Sequence, residues 1–201
     1  YTTYKDDTPL KNIMKSIYSF IQSAPFPEKW LKEKVEMFNI DLENSDFADT
    51  VWGKVILNNY KECIEENILG LKKIKKELDE EIELEKHSQA IRMDIENLEV
   101  LKENLDSWDK AYELANNFSF VRWPSSKKIN SETPAIVKEK RDIINAKFKK
   151  MKDSIFIYSS KEILEDLKDM YKILNLLAQI IIKFNENYKK AKLEKNIIDF
   201  N

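Results

Sequence analysis

The scarcity of glycine is the feature that most constrains this chain. Only two glycines, Gly53 and Gly70, and five prolines occur in 201 residues. A sheet protein needs many tight turns, and glycine is the residue that such turns most often require. Lys, Glu, Leu and Ile are abundant, and 35% of the residues are charged. The composition therefore predicts an all-α fold built from long helices.

Two short helices joined at a proline corner are predicted over residues 1–44. The first begins at Thr8-Pro9, and its apolar face consists of Leu10, Ile13, Met14, Ile17, Phe20 and Ile21. Pro25 ends this helix, and Pro27 suits the first turn of the next one. The buried face of the second helix is predicted to contain Trp30, Leu31, Val35 and Phe38. This region is a helix-corner-helix subregion.

Residues 45–197 have the apolar spacing of a bundle of long antiparallel helices. The first long helix is predicted to begin near Asp46, and its buried face to contain Val55, Ile56, Ile64, Ile68, Leu71, Ile74, Leu78 and Ile82. Gly70 lies inside this helix and marks either a kink or a close approach of another helix. A second, continuous helix is predicted to bury Ile91, Ile95, Leu98, Leu101, Leu105, Trp108 and Tyr112.

The rest of this region is predicted to contain a long loop and two more helices. Periodicity is absent over residues 116–134, which include Pro124 and Pro134. A basic helix follows over residues 131–155. Ser159 and Glu162 form a capping box that starts the last helix. Its apolar residues alternate in steps of four and three and predict a heptad seam of Ile163, Leu167, Met170, Leu174, Leu177, Ile181, Phe184, Tyr188 and Ala191.

The sequence contains no recognisable catalytic motif. A phosphate-binding P-loop needs several glycines, and two are too few. The only histidine, His87, has Leu84 where a di-iron Glu-x-x-His motif needs glutamate, and we interpret it as a solvated turn residue. The single cysteine, Cys63, cannot form an internal disulfide and is interpreted as a core residue.

An acidic run and the longest apolar stretch are the candidate sites for metal and membrane binding. The run consists of Asp79, Glu80, Glu81, Glu83 and Glu85, which either bind a cation or form a solvated helix face. We favour the solvated face and predict no metal site. The longest apolar stretch is much shorter than the roughly 20 residues of a membrane span, and the N-terminus lacks a signal-peptide pattern. These features predict a cytoplasmic protein without a membrane partner.

Basic residues are concentrated in one part of this chain. The net charge of −2 is not that of a dedicated nucleic-acid binder. Locally, however, the basic helix contains Lys138, Lys140, Arg141, Lys147, Lys149, Lys150 and Lys152, and the preceding loop adds Arg122, Lys127 and Lys128. Such a cluster favours sequence-independent contacts with DNA phosphates. Trp123, in the same loop, is either a platform for stacking an unpaired base or a core residue.

Three stretches together resemble one family. LKNIMKSIYSFIQSAPFPEKWL, at 10–31, is similar to the aromatic helix and Ser-x-Pro-x-Pro corner of the AddA (RexA) subunit of the bacterial ATP-dependent helicase/nuclease. LDSWDKAYELANNFSFVRWPSSKK, at 105–128, resembles that family's Trp-bearing helix and Phe-x-Arg-x-Pro loop. FNENYKKAKLEKNIIDFN, at 184–201, resembles the helix that leads into its Asp-Phe-x-Asp-Leu motif.

This resemblance implies a function for a larger protein. Residues 1–201 would form the accessory 1B domain of a UvrD/Rep-like helicase, and residues 198–201 would start the return to the motor domain, so we expect the chain to be one piece of that protein. The whole protein would be a 3′ to 5′ DNA helicase and nuclease that uses ATP and Mg²⁺. It would act with an AddB subunit in double-strand-break repair and recombination. No catalytic residue can be assigned within the chain.

Three roles for the chain remain open at this point. The domain could guide duplex or forked DNA toward the motor through its basic surface, without any bond chemistry. It could instead be a protein-interaction module or strut that contacts AddB or a neighbouring domain. A stand-alone coiled-coil scaffold is the third alternative, which we disfavour because the sequence has no evident natural start and stop.

Overall fold

The computed structural model describes residues 6–127 and 129–197, and within these ranges the chain is all-α, as predicted. The described residues form seven α-helices and no strand. The helices are α1 (Thr8–Ile21), α2 (Pro27–Glu36), α3 (Val51–Asp79), α4 (Glu85–Glu103), α5 (Trp108–Asn117), α6 (Thr133–Ile155) and α7 (Ser160–Glu194). Two 3₁₀ turns, Phe47–Asp49 and Ile82–Leu84, precede α3 and α4.

The helices are divided between two compact units. The end unit contains α1, α2 and α7 from Leu164 onward, whereas the central unit comprises Asn44–Ile163. The first residues of α7, 160–163, belong to the central unit. The division into subregions 1–44 and 45–197 and the assignment of the whole chain as one accessory domain stay predictions.

In the end unit, two short helices and α7 share a small apolar core. Its buried members are Ile21, Leu31, Val35, Ala178 and Ile181. Pro27 is the first residue of α2, as the proline corner predicted. The predicted apolar face of α1 is only partly buried, because Leu10, Ile13 and Phe20 are exposed. Ile21 is thus the buried residue that α1 contributes to this core, and Met14, Ile17 and Tyr18 pack against it partly buried.

The central unit is organised around α3, which packs against both α4 and α6. Lys72 of α3 pairs with Glu99 of α4 at 3.1 Å, and Glu65 pairs with Lys102 at 3.8 Å. Earlier residues of one helix therefore meet later residues of the other, so α3 and α4 are antiparallel, as predicted. The largest fully buried side chains of the unit include Tyr60, Ile64, Leu71, Leu98, Trp108 and Phe148.

Gly70 is a point of close helix packing. A Cβ atom at this position would lie 3.0 Å from Cδ1 of Ile144 in α6. The helix continues without interruption from Val51 to Asp79. Of the two alternatives for Gly70, the contact with Ile144 confirms the close approach of another helix.

The start of α3 differs from the sequence prediction. The helix begins at Val51, and Thr50 caps it by accepting a hydrogen bond from the Gly53 N–H at 3.0 Å. Asp46, the predicted start, caps the 3₁₀ turn by accepting the Ala48 N–H at 2.8 Å, and it also accepts the Trp108 N–H at 3.0 Å. The predicted start is a few residues early because the turn that Asp46 caps is 3₁₀, and the α-helix begins only after Thr50.

The predicted second long helix is two helices. The chain leaves helical geometry after Glu103 and re-enters it at Trp108, so Leu105 and Trp108 do not continue the stripe of α4. The indole Nε1 of Trp108 donates to the Tyr158 carbonyl at 3.0 Å, and its backbone N–H donates to Asp46. Two long-range hydrogen bonds thus set the start of α5, and apolar spacing alone cannot reveal them.

Two apolar residues assigned to the buried face of α3 are exposed. Val55 lies on the solvent side of the helix, and Ile82 is 94% exposed in the 3₁₀ turn after it. The helix ends at Asp79, before the periodic pattern does, so Ile82 no longer follows the helical face. By contrast, Cys63 is buried, which confirms its interpretation as a core residue.

The capping box at the start of α7 is confirmed. Glu162 Oε2 accepts the Ser159 N–H at 2.8 Å, and Ser159 Oγ accepts the Glu162 N–H at 3.4 Å. Immediately after it, Ser160 Oγ accepts the Phe47 N–H at 2.8 Å within the central unit. The sequence therefore located the beginning of this helix correctly.

The heptad seam of α7 is buried only in part. Ile181 is buried, whereas Met170, Phe184 and Tyr188 are substantially exposed. The helix has 35 residues, but α1 and α2 have only 14 and 10. At about 1.5 Å per residue, neither short helix can cover the full length of the seam in the end unit. No helix in the described part of the chain has the length and apolar character of a membrane span.

Candidate nucleic-acid interface

Three of the candidate DNA contacts on α6 form surface ion pairs. Lys140 pairs with Glu77 at 2.7 Å and Lys147 with Glu66 at 2.6 Å, both across to α3. Lys138 pairs within α6 with Asp142 at 2.9 Å. Exposed pairs of this kind contribute at most about 1 kcal/mol each, so they do not lock the side chains. They nevertheless lower the net positive charge of this helix surface.

Lys149 and Lys150 keep their charges unpaired. Both side chains are exposed, and neither forms an ion pair with another described residue. Lys149 lies at the edge of an open cavity of about 320 Å³, whose lining includes Asn145, Phe118, Phe120, Phe148 and Lys152. The cavity therefore joins α6 to the residues that follow α5. These two lysines are the part of α6 that remains free to contact phosphate.

The loop over residues 118–127 lies against α6 through aromatic side chains. The ring of Phe148 in α6 is 4.7 Å from that of Phe118 and 6.1 Å from that of Phe120. Further along the loop, Arg122 and Lys127 are exposed and form no ion pair with a described residue. The start of this loop therefore lies beside Lys149, whereas the residues next to its two cations contact Arg141 and His87. Lys128, the remaining loop candidate, lies outside the described residues.

Arg141 is buried, unlike the other basic candidates. Its side chain is 5% exposed, and its Nε donates to Asp94 Oδ2 at 2.6 Å. Its Nη2 donates to the Val121 carbonyl at 2.6 Å. Because its charge and donors are used inside the protein, we remove Arg141 from the candidate DNA contacts. The sequence placed it with the exposed lysines because charge alone does not reveal the orientation of a side chain.

Asp94 is the important residue that sequence reasoning missed. It is completely buried on α4 and accepts the Val121 N–H at 2.8 Å as well as the Arg141 bond. Burial raises the pKa of its carboxyl, although both hydrogen bonds act in the opposite direction. A signal was available, since an aspartate occurs between Ile91 and Leu98 on the apolar stripe of α4. Buried charges of this kind are almost always paired.

His87 and Trp123 form a second contact between the loop and α4. His87 is buried in α4, so its interpretation as a solvated turn residue was wrong. Its ring lies 5.0 Å from that of Trp123, and its Nε2 is 3.1 Å from Ser126 Oγ. Burial lowers the pKa of His87. Trp123 is therefore half-buried against protein, which leaves less of its ring available for stacking a base.

The acidic run serves local structure. Glu81 accepts a hydrogen bond from Thr133 Oγ1 at 2.6 Å beside the start of α6, and Asp79 pairs with Lys75 at 2.6 Å. Among residues 6–127 and 129–197, no group of three or more His, Cys, Asp or Glu side chains is placed to hold a metal. Both glycines lie within α3, so the residues of this chain also do not fit a glycine-rich phosphate loop for ATP.

The sequence was compared with protein families and with curated proteins. No family model matches it. The A subunit of the ATP-dependent helicase/nuclease from Ruminiclostridium cellulolyticum is 33% identical over 210 aligned residues, and that from Clostridioides difficile is 32% identical. The corresponding protein of Acetivibrio thermocellus is 30% identical. Each alignment covers the whole of this chain but 16% of the relative.

The comparisons bear directly on the resemblance drawn from the three sequence stretches. The chain spans about one sixth of the length of the curated relatives it matches, and the alignments include the proline corner and the Phe-x-Arg-x-Pro loop because they run from one end of the chain to the other. The resemblance is confirmed: this chain is related over its full length to a segment of the AddA family, the A subunits of ATP-dependent helicase/nucleases.

Proposed function

We propose that this chain is a DNA-guiding accessory region, resembling a 1B domain, of a larger helicase/nuclease protein. In this proposal the region contacts the phosphate backbone of duplex or forked DNA through the loop 118–127 and the adjacent end of α6. It performs no bond chemistry itself. Its role is to hold the nucleic acid by electrostatic and steric contacts while other parts of the protein act on it.

One observation carries the proposal. Arg122, Lys127, Lys149 and Lys150 are exposed and lack a carboxylate partner among the described residues, whereas neighbouring lysines are neutralised by Glu66, Glu77 and Asp142. Unpaired surface cations on adjoining elements are free to replace the counterions of a DNA backbone. We call these four residues the basic surface.

The activity proposed for the parent protein rests on the names of its relatives, which are ATP-dependent helicase/nucleases, and on the family resemblance of the three sequence stretches. A helicase/nuclease of this family would couple ATP hydrolysis and Mg²⁺-dependent cleavage to 3′ to 5′ unwinding of DNA in the cytoplasm, and its partner would be an AddB-type subunit. Its use would be double-strand-break repair and recombination. Within residues 6–127 and 129–197 there is neither a glycine-rich phosphate loop nor a group of three or more metal-ligating side chains, and no catalytic step is assigned to this chain.

Fluorescence anisotropy with labelled forked DNA over a salt series tests the proposal. If all four cations of the basic surface contact phosphates, the logarithm of the binding constant should fall with the logarithm of salt concentration with a slope of about −4. The variant Lys149→Gln/Lys150→Gln should bind more weakly, and its slope should be about two units less negative. The effect should be the same for DNA of different sequence.

A matched control separates local contacts from net charge. Lys54 and Lys61 are exposed on α3, in the same unit, and form no ion pair with a described residue. Lys54→Gln/Lys61→Gln changes the charge by the same amount and should leave the slope unchanged. Equal effects of the two double variants, or no binding of wild-type chain at low salt, would contradict the proposal.

A second candidate function is a strut or protein-interaction module. It is favoured by a row of apolar side chains on α7, where Ile173 is 71% exposed, Leu176 is 60% exposed and Ile180 is also exposed. These residues recur at steps of three and four, so they share one helix face. In this alternative, Ile173→Ser/Leu176→Ser would leave DNA affinity unchanged and weaken assembly of the parent protein with its partner.

A further inference from the structure

We propose that Asp94 and Arg141 are positioning residues that hold the loop 118–127 in the conformation that presents Arg122 and Lys127 to nucleic acid. This inference rests on the proposed function, since it assigns a mechanism to the basic surface. Neither residue would touch DNA. Both would act through the backbone of Val121, the residue directly before Arg122.

Two buried side chains hold the backbone of Val121. Asp94 Oδ1 accepts the Val121 N–H at 2.8 Å, and Arg141 Nη2 donates to the Val121 carbonyl at 2.6 Å. Arg141 Nε donates to Asp94 Oδ2 at 2.6 Å, which closes the network. Both backbone polar groups of one loop residue are thus bound by two side chains that are themselves paired.

Residues on both sides of Val121 also pack against Arg141. The Arg141 guanidinium carbon lies 5.2 Å from the ring centroid of Phe120 and 5.2 Å from that of Trp123. These distances are within the range of cation–π attraction. Phe120 and Trp123 flank Val121 and Arg122 in the chain, so the same buried cation contacts the loop before and after the exposed arginine. Arg122 itself remains exposed.

A third contact fixes the far end of the segment. His87 packs against Trp123 and lies 3.1 Å from Oγ of Ser126, the residue before Lys127. The two exposed cations therefore each follow a residue that is tied to the interior. A loop held in this way loses less conformational entropy when it binds a ligand than a free loop does.

Asp94 and Arg141 form an ion pair in the interior of the protein. Burying an ion pair is costly, and well-packed apolar residues of similar volume often give equal or greater stability. Core stability alone therefore does not call for Asp94 and Arg141 at these positions. What apolar residues cannot do is bind the N–H and carbonyl of Val121. The pair accordingly sets the orientation of the loop backbone, which is the property that DNA contact requires.

The test uses an apolar replacement of the pair in the chain. Asp94→Leu/Arg141→Met retains buried volume but removes both anchors of Val121, and its fold is checked by circular dichroism and urea unfolding. Hydrogen exchange of the Val121 amide should become faster. In the anisotropy assay the salt slope should decrease by about two, as expected if Arg122 and Lys127 both lose their phosphate contacts. Asp94→Asn, which keeps an acceptor for Val121, is the milder variant if the double replacement does not fold, and it should show a smaller change in the same direction.

A companion variant, Arg122→Gln/Lys127→Gln, distinguishes the possible failures. If it reduces the slope by about two and the folded Asp94→Leu/Arg141→Met protein binds like wild type, the positioning role is overturned while the basic surface stands. If the companion variant binds like wild type, the loop makes no phosphate contact and the positioning role is overturned together with that part of the proposed function. Equal losses in both variants, with faster Val121 exchange only in the double replacement of the pair, support positioning.

Discussion

Replacing the two glycines of α3 by alanine should have opposite effects on stability. At Gly53 a Cβ atom would lie 1.9 Å from the Phe47 carbonyl oxygen, whereas at Gly70 it would lie 3.0 Å from Cδ1 of Ile144. The first neighbour is backbone and the second is the tip of a side chain. Both substitutions add one methyl group to the same helix, so they form a matched pair.

At Gly53 the clash is with backbone atoms, so no side-chain movement can relieve it. Phe47 must move by about 1 Å before its carbonyl reaches even a tight contact distance, and this oxygen accepts the Thr50 N–H at 3.1 Å and the Thr50 hydroxyl at 2.7 Å. The Phe47 ring is buried, and its centroid lies 4.7 Å from that of Trp108, so packing opposes this movement. Overpacking costs about 1–3 kcal/mol and each weakened hydrogen bond about 1 kcal/mol. Against a helix-propensity gain of at most about 1 kcal/mol, we expect a net loss of about 2–4 kcal/mol.

At Gly70 the balance is reversed. The Ile144 side chain can move by a few tenths of an ångström, and the alanine contributes up to about 1 kcal/mol in helix propensity. We therefore expect Gly70→Ala to be neutral or stabilising by less than about 1 kcal/mol. Urea unfolding followed by circular dichroism measures both free energies of unfolding. Similar changes for the two variants, or a neutral Gly53→Ala, would refute this reasoning.

Three further predictions concern buried titratable groups. The Tyr60 hydroxyl is buried without a hydrogen-bond partner among the described residues, so Tyr60→Phe should raise the free energy of unfolding by about 1 kcal/mol; a loss of stability would contradict this. Burial lowers the pKa of His87 in the folded protein below its value of about 6.5 in the unfolded chain. The stability contributed by the neutral side chain is therefore complete above about pH 6.5 and is lost as the pH falls through the pKa of the folded state. On acidification, the free energy of unfolding should fall faster for wild type than for His87→Gln, by at most about 1.4 kcal/mol per pH unit. If the free energies of unfolding from urea titrations change in parallel with pH for the two proteins, the prediction is wrong. Burial also raises the pKa of the Cys63 thiol, so a disulfide reagent should label it slowly in the native protein and rapidly in urea; immediate native labelling would show that the site is open.

Much of the fold could be predicted from local pattern. The proline corner, the antiparallel pair α3 and α4, the loop before α6 and the Ser159–Glu162 capping box all follow from residues close together in sequence. Such features depend on backbone conformation and on hydrogen bonds over a few residues, so the sequence carries the information directly. The family relationship was recognisable for a similar reason, because its motifs are short and occur in a fixed order.

The candidate site was less predictable. Several of the candidate residues depend for their role on a partner far away in the chain: Glu77 and Glu66 neutralise Lys140 and Lys147, Asp94 pairs with the buried Arg141, and His87 covers Trp123. Lys149 and Lys150 carry the same charge in the sequence and remain unpaired among the described residues. Nothing local distinguishes these lysines from their paired neighbours, so their assignment to the basic surface needed the structure.

By itself, the sequence determined that this chain is all-α and that it is related to the AddA family. Its low glycine content, apolar periodicity and ordered motifs are sufficient for both conclusions, because each depends on composition or on neighbouring residues. Only the tertiary structure decided where α3 and α5 begin, which part of α7 is covered and which basic residues face solvent. Those outcomes depend on contacts such as Asp46 with Trp108 and Asp94 with Arg141, which join residues about 50–60 positions apart. Helical periodicity shows which face of a helix is apolar, but the packing of other helices decides what covers that face and which charges remain free.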